Sequence, residues 1–204
     1  HDEVDGRSHN GDSQTGAAVW TSPDGRSWTR LPDDPAVFGI GGQAANATNW
    51  MQAVIAGGPG LVAVGAVGNE ATVWASADGV EWVRAFSGRE WSWLTDVVVW
   101  EGRLYAVGFT GYMDRNQPEL DDPYRPIVLA SEDGRAWEAL PQATVPGQRG
   151  VDFGASWPAV QAGLVALTPY EAEIVGVGGP GWFGGSPAVW RSEDGAAWVR
   201  TGGR

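Results

Sequence analysis

One short motif occurs four times in this chain of 204 residues, and this repetition restricts the possible folds more than any other feature of the sequence. The motif is S-x-D-G-x-x-W, and its successive serines lie 54, 55 and 61 residues apart, at Ser22, Ser76, Ser131 and Ser192. A D-G pair between two apolar runs predicts a hairpin turn, because glycine adopts positive φ without a Cβ penalty and the aspartate can accept hydrogen bonds from the following amides. The motifs therefore predict four similar hairpins at nearly constant spacing.

A second pattern precedes the last three motifs. It covers Trp50–Gly65 and Trp93–Gly108, which are equal in length, and Trp157–Gly178, which is six residues longer. Each copy consists of two apolar runs separated by a turn, so each complete unit contains four short strands in an antiparallel meander. Repeated four-stranded units of about 50 residues are typical of β-propeller blades, because one blade cannot bury both of its faces alone.

The sequence therefore predicts an all-β fold, a β-propeller of four-stranded antiparallel blades with about 3.5 blades present. Residues 1–204 form a single propeller region, with a half blade at 1–32 and blades at 50–86, 93–141 and 157–202. We expect a larger propeller, in which a further segment or another copy completes the half blade, because incomplete blade edges favour self-association.

At these motifs the chain resembles the Asp-box, or bacterial neuraminidase repeat, propellers, a sialidase-like superfamily that includes sialidases, other glycoside hydrolases and non-catalytic proteins. The box of that family is usually S-x-D-x-G-x-T-W, whereas here glycine follows aspartate directly. The resemblance implies that the box residues are structural and lie away from any active site. These residues are Ser22, Asp24, Gly25, Trp28, Ser76, Asp78, Gly79, Trp82, Ser131, Asp133, Gly134, Trp137, Ser192, Asp194, Gly195 and Trp198.

The charge and composition argue against several classes of function. The chain has 25 acidic and 13 basic residues, for a net charge of −12, and this disfavours nucleic acids and anionic membranes as partners. It also lacks the apolar run of about 20 residues that membrane insertion by a helix requires. We therefore expect a glycan or protein partner for a secreted or cell-surface protein.

We expect no cofactor and no metal ion. The chain has no cysteine, and its only histidines are His1 and His9, so thiolate chemistry is excluded and a histidine-based triad or zinc site is disfavoured. The spacing of the carboxylates in the region 111–125 fits no calcium-binding loop of the D-x-D-x-D-G type. The carboxylates concerned are Asp114, Glu119, Asp121 and Asp122.

Alternating strand direction places the box turns on one face of the propeller and the long connections on the other. These connections cover 1–16, 33–49, 109–125, 142–156 and 179–187, and functional residues of repeat scaffolds usually lie on such loops. Aromatic rings with charged groups suit a sugar site, although a charged loop can equally be a solvated surface. The candidate ligand-binding residues are Arg89, Glu90, Trp91, Trp93, Tyr112, Asp114, Arg115, Tyr124, Arg125, Arg149, Asp152, Trp157 and Trp182.

Three tryptophans are expected at equivalent positions, at the entrance to the first strand of each full blade. They are Trp50, Trp93 and Trp157. Equivalent positions argue for equivalent packing between blades, and stacking on a ligand is the alternative.

Two functions from different classes remain open at this point. The resemblance implies that a sialidase needs three arginines, a tyrosine with a glutamate, and an aspartate, but the arginine signature F-R-I-P of the family is absent. We therefore predict a non-catalytic Asp-box propeller that presents its loop face to a glycan or protein. The alternative is part of a sialidase-like or other glycoside hydrolase that uses two carboxylates, and the candidates for that pair are Glu90, Asp114, Glu119, Asp121, Asp122 and Asp152.

Overall fold

The computed structural model describes residues 16–39, 49–112, 122–140, 162–180 and 187–202. These residues form strands with a single short helix, which agrees with the expected all-β class. The elements are β1 (Trp20–Thr21), β2 (Thr29–Arg30), α1 (Pro35–Phe38), β3 (Trp50–Gly57), β4 (Gly60–Val67), β5 (Glu70–Ser76), β6 (Trp82–Glu90), β7 (Ser92–Trp100), β8 (Arg103–Tyr112), β9 (Asp122–Ser131), β10 (Glu138–Ala139), β11 (Ala162–Tyr170), β12 (Glu173–Pro180), β13 (Ala188–Ser192) and β14 (Val199–Gly202).

The strands form four antiparallel meanders, each built from consecutive strands. Strands β3 to β6, β7 to β10 and β11 to β14 form four-stranded sheets, and β1 pairs with β2 in a two-stranded sheet. The first strand of each later full sheet packs on the sheet before it: β7 contacts β3, β4 and β5, and β11 contacts β7, β8 and β9. The predicted fold class is confirmed, and the chain is a partial β-propeller.

Apolar cores lie between successive sheets. Val64 and Val73 share a buried core with Val97 of the next sheet, because alternate residues of each strand point to the same face. The following interface repeats the arrangement, with Val107 and Val128 in one core with Leu167, Trp190 and Trp198. Val19 and Leu31, which flank the two-stranded sheet, join the core around Trp74 and Trp82, together with Ala63 of β4.

The box turns are held by a small network of hydrogen bonds. In the second box, the Asp78 carboxylate accepts hydrogen bonds from the backbone N–H groups of Val80 at 2.8 Å and Glu81 at 2.9 Å. The Ser76 hydroxyl accepts one from Gly79 N–H at 2.8 Å, and the Trp82 indole N–H donates to the Gly79 carbonyl at 3.1 Å. Gly79 has a φ of 80°, where a side chain would be strained.

The other boxes repeat most of this network. Asp24, Asp133 and Asp194 each accept two hydrogen bonds from the backbone amides two and three residues later. The indoles of Trp137 and Trp198 donate to the box glycine as Trp82 does. These turns are therefore stabilised by contacts within each motif.

The same amides lower the pKa of the box aspartates. The pKa of Asp78 lies below its usual value chiefly because the backbone N–H groups of Glu81 and Val80 donate to the charged carboxylate. The pKa values of Asp24, Asp133 and Asp194 are lowered by the corresponding pairs of amides. When folding lowers the pKa of a carboxyl group, the charged group stabilises the fold at pH values above its unfolded pKa, near 3.9. This contribution is lost as the pH falls through the pKa that the group has in the folded protein.

Two of the predicted long connections are shorter than expected. The ladder between β8 and β9 continues to the pair Tyr112 and Asp122, so 109–112 and 122–125 are strand residues. Likewise, β12 continues to Pro180. The bounds predicted from sequence were wrong here because backbone pairing extends beyond the apolar runs into polar residues.

Each full sheet has a β-bulge in its first strand. The pairing shifts between Met51 and Ala53, between Leu94 and Asp96, and between Leu164 and Ala166. At the first two bulges the second strand carries a glycine, Gly65 or Gly108, and a Cβ there would overlap the carbonyl oxygen of Trp50 or Trp93. The glycine that ends each of these two copies of the second sequence pattern therefore has a steric reason that sequence analysis did not identify.

We expect Asp78→Asn to reduce thermal stability at neutral pH, because the substitution removes the charge that the amides stabilise. The difference from the unmodified protein should begin to shrink as the pH falls below about 4, the unfolded pKa, and should disappear once the pH has fallen through the lower pKa of the folded carboxyl. Thermal unfolding followed by circular dichroism across this pH range measures the effect. The control is Glu81→Gln, which removes an exposed charge from the same turn, and an equally pH-dependent loss in that variant would contradict the explanation.

We expect Gly108→Ala to lower the free energy of unfolding by about 1–3 kcal/mol, as overpacking of a closely packed site does. The reason is the overlap between the new methyl group and the Trp93 carbonyl. Urea denaturation measures the loss, and Val80→Ala, at an exposed turn position, serves as the control. A Gly108→Ala protein as stable as this control would show that the bulge adjusts without cost.

Candidate functional site

The structure places the predicted ligand-binding residues in three groups. Arg89, Glu90, Trp91 and Trp93 lie where β6 leads into β7, and their side chains are described. Tyr112, Tyr124 and Arg125 are described by their positions on β8 and β9. Predictions for Asp114, Arg115, Glu119, Asp121, Arg149, Asp152, Trp157 and Trp182 lie outside the described residues.

The expected equivalence of three tryptophans holds for two of them. Trp50 pairs with Ala66 and Trp93 pairs with Phe109, each one residue before the bulge. In the last full sheet this position belongs to Gly163, which pairs with Gly179. Trp157 lies outside the described residues.

The connection between β6 and β7 is the single residue Trp91. Its φ is 60°, a value that bulky side chains rarely adopt. Such a conformation costs about 1–3 kcal/mol and persists only where surrounding contacts impose it, and these residues cluster at functional sites. Trp91 also lies on the propeller face opposite the box turns, where the sequence predicted a site.

Hydrogen bonds on both sides hold Trp91 in this conformation. Its carbonyl accepts a hydrogen bond from Gly111 N–H at 2.8 Å and another from the Thr110 hydroxyl at 3.2 Å. The next residue, Ser92, donates its N–H to the Asn69 carbonyl at 2.9 Å and accepts a hydrogen bond from Ala71 N–H at 2.9 Å through its buried hydroxyl. The contacts therefore fix the strained residue between two sheets.

Three aromatic rings lie in a row at this connection. The centroids of Trp91 and Trp93 are 6.4 Å apart with an angle of 56° between the planes, and those of Trp93 and Phe109 are 5.4 Å apart at 37°. These distances are within the range of favourable aromatic pairs. We call Arg89, Trp91, Trp93, Phe109 and Thr110 the Trp91 corner.

Polar groups border the aromatic row. The Nε of Arg89 donates to the Thr110 hydroxyl at 2.8 Å, and that hydroxyl donates in turn to the Trp91 carbonyl. Sequence analysis did not select Phe109 or Thr110, although the strand register would have placed Phe109 opposite Trp93. The arrangement places aromatic rings beside polar side chains.

The indole of Trp93 differs from that of Trp91 in its surroundings. Its N–H is buried and has no hydrogen-bond partner within the part of the chain that the structure describes. Its ring is packed between Trp91 and Phe109, so packing fixes its orientation. Of the two alternatives for this position, the contacts favour packing for Trp93, and both Trp91 and Trp93 are half-buried.

Within the described ranges, no three His, Cys, Asp or Glu side chains are grouped closely enough to hold a metal ion. None of the helices formed by these residues has the length and apolar character needed to cross a membrane.

No protein-family model matches the chain, and no curated protein sequence matches it. Solved structures that match include a GH32 beta-fructofuranosidase of Bombyx mori, in a mutant form in complex with sucrose, with a TM-score of 0.46 and 13% identity over 74% of this chain and 34% of that chain. A second structure of the same enzyme has a TM-score of 0.41 and 13% identity over 69% of this chain and 31% of that chain. This chain therefore spans about a third of the length of those proteins.

We expect Trp91→Gly to be more stable than Trp91→Ala by about 1 kcal/mol, because alanine keeps the positive-φ penalty and glycine removes it. Urea denaturation of the two variants measures the difference. At Ser87, an exposed position on β6 without positive φ, the same pair of substitutions should give the opposite order. If alanine is the more stable residue at both positions, the backbone at Trp91 is not strained.

Proposed function

We propose that this chain is a non-catalytic propeller of the Asp-box type that binds a glycan at the Trp91 corner. The observation that carries the proposal is a tryptophan held at a φ of 60° on the face opposite the box turns. A residue in this conformation costs stability, so its retention on a surface connection is explained best by a function of its ring.

The chemistry of the Trp91 corner suits a sugar. An aromatic ring packs on the apolar face of a pyranose, and neighbouring polar side chains bond its hydroxyl groups. Trp91 offers the ring, which packs against Trp93, and Trp93 packs against Phe109 in turn. Arg89 donates a hydrogen bond to Thr110, whose hydroxyl donates to the Trp91 carbonyl. A rigid, supported ring loses little conformational entropy on binding, which favours affinity.

The charge of the protein favours a neutral glycan over an acidic one. The net charge of −12 repels polyanions at long range. Glu90, exposed beside Trp91, adds a negative charge at the corner itself and pairs across the sheet with Glu70, also exposed. We therefore propose neutral oligosaccharides as ligands of a secreted or cell-surface protein.

Titration calorimetry with hexasaccharides of glucose, xylose, mannose and galactose tests this function. We expect at least one to bind, and Trp91→Ala to weaken that binding by at least about tenfold, which corresponds to about 1.4 kcal/mol. The matched control is Tyr170→Ala, which removes an exposed aromatic ring at the end of β11, on the opposite face of the propeller. Equal weakening by both variants, or binding that Trp91→Ala leaves intact, would overturn the site.

The same oligosaccharides distinguish a binding module from an enzyme. Chromatography after prolonged incubation should recover them unchanged. Hydrolysis that is lost in Glu90→Gln would instead support the glycoside hydrolase alternative, since such enzymes act through a pair of carboxylates.

A further inference from the structure

A second residue at positive φ lies beside the Trp91 corner. Among the described residues other than glycine, four have positive φ, and they are Asn69, Trp91, Glu101 and Glu171. Glu101 and Glu171 lie in the turns that join β7 to β8 and β11 to β12, on the face of the box turns. Asn69, in the turn between β4 and β5, lies on the opposite face with Trp91.

One hydrogen bond joins Asn69 to the Trp91 corner. The N–H of Ser92, the residue after Trp91, donates to the Asn69 carbonyl at 2.9 Å. From standard bond lengths, the Cα atoms of Asn69 and Trp91 are therefore at most about 8 Å apart. Glu70 and Glu90, which adjoin these two residues in the chain, pair across β5 and β6. The two segments thus run side by side, and a sugar ring with its hydroxyl groups spans the distance between them.

The turn explains the backbone of Asn69 but not its side chain. Gly68 and Asn69 are the two central residues of this turn, with φ values of 60° and 70°. A hairpin turn of this kind needs positive φ at both positions, and glycine serves there as well as asparagine. Asn69 is half-buried, and its carboxamide makes no hydrogen bond within the part of the chain that the structure describes.

Asn49 is a contrasting case, because the fold uses its carboxamide. Asn49 is buried, its Oδ1 accepts a hydrogen bond from Gly68 N–H at 2.8 Å, and its Nδ2 donates to the Gly39 carbonyl at 3.4 Å. Both polar ends of this side chain therefore hold neighbouring backbone. The carboxamide of Asn69, one residue after Gly68 in the same turn, holds no backbone group of the described residues.

We propose that Asn69 is a further ligand-binding residue at the Trp91 corner, and that its carboxamide bonds the hydroxyl groups of a neutral sugar packed on Trp91. This assignment rests on the function proposed above. A carboxamide both donates and accepts hydrogen bonds, so it matches a hydroxyl at a particular position, whereas an indole face packs on any sugar with an apolar face. Trp91 therefore supplies affinity, and Asn69 supplies the choice between sugars that differ in one hydroxyl.

Titration calorimetry of Asn69→Gly with the same four hexasaccharides tests the assignment. Glycine keeps the positive φ of the turn and removes only the carboxamide. We expect the preferred hexasaccharide to bind about fivefold more weakly, as the loss of one hydrogen bond implies, and its advantage over the others to shrink. Trp91→Ala should instead weaken every hexasaccharide that binds, without reducing this advantage. The matched control is Glu101→Gly, the same kind of change at positive φ on the other face, which should leave the affinities unchanged.

The outcomes separate this assignment from the function on which it rests. If Trp91→Ala weakens binding and Asn69→Gly does not, the assignment of Asn69 is overturned and the sugar site stands. If no hexasaccharide binds the unmodified protein, or Trp91→Ala leaves binding intact, both proposals fail. Urea denaturation checks the turn: a larger loss of stability in Asn69→Gly than in Glu101→Gly, together with weaker binding, would show that Asn69 acts on the turn and not on the sugar.

Discussion

The structure depends on one requirement: each sheet needs a neighbouring sheet to cover its apolar faces. Successive residues on a strand point to opposite faces of the sheet, and both faces of these strands carry apolar side chains. Val97 covers the valine pair of the sheet before it, and Leu167 does the same one sheet later. Stability is therefore shared between sheets and increases with each interface that forms.

The box turns contribute a different kind of stability. Their hydrogen bonds connect residues two or three positions apart, so each turn can form before its sheet is packed. The indole of Trp82 joins this local network to the core, because its N–H bonds the turn while its ring is buried. The repeat thus couples a local turn to long-range packing. At the other face, the described connection between β6 and β7 is a single residue, Trp91.

The sequence allowed much of the fold to be predicted, because its strongest signals are local. The D-G turns, the apolar runs and their spacing predicted antiparallel meanders, and the sheets have that topology. The extension of β8 to Tyr112 was missed because pairing with Asp122 depends on a partner strand, not on local composition. Likewise, only pairing with β12 decides that Gly163 takes the position on β11 that Trp93 holds on β7.

The candidate site, too, was predicted only in part from the sequence. The sequence by itself determined the four box turns, the order of the strands and the face on which Trp91 lies, because these follow from local conformation and from strand alternation. Only the tertiary structure decided that Trp91 adopts positive φ, that Phe109 and Thr110 join it, and that Asn69 lies beside it. These features arise from contacts between residues distant in sequence, and the free energy of such contacts is set by which surfaces meet when the sheets pack.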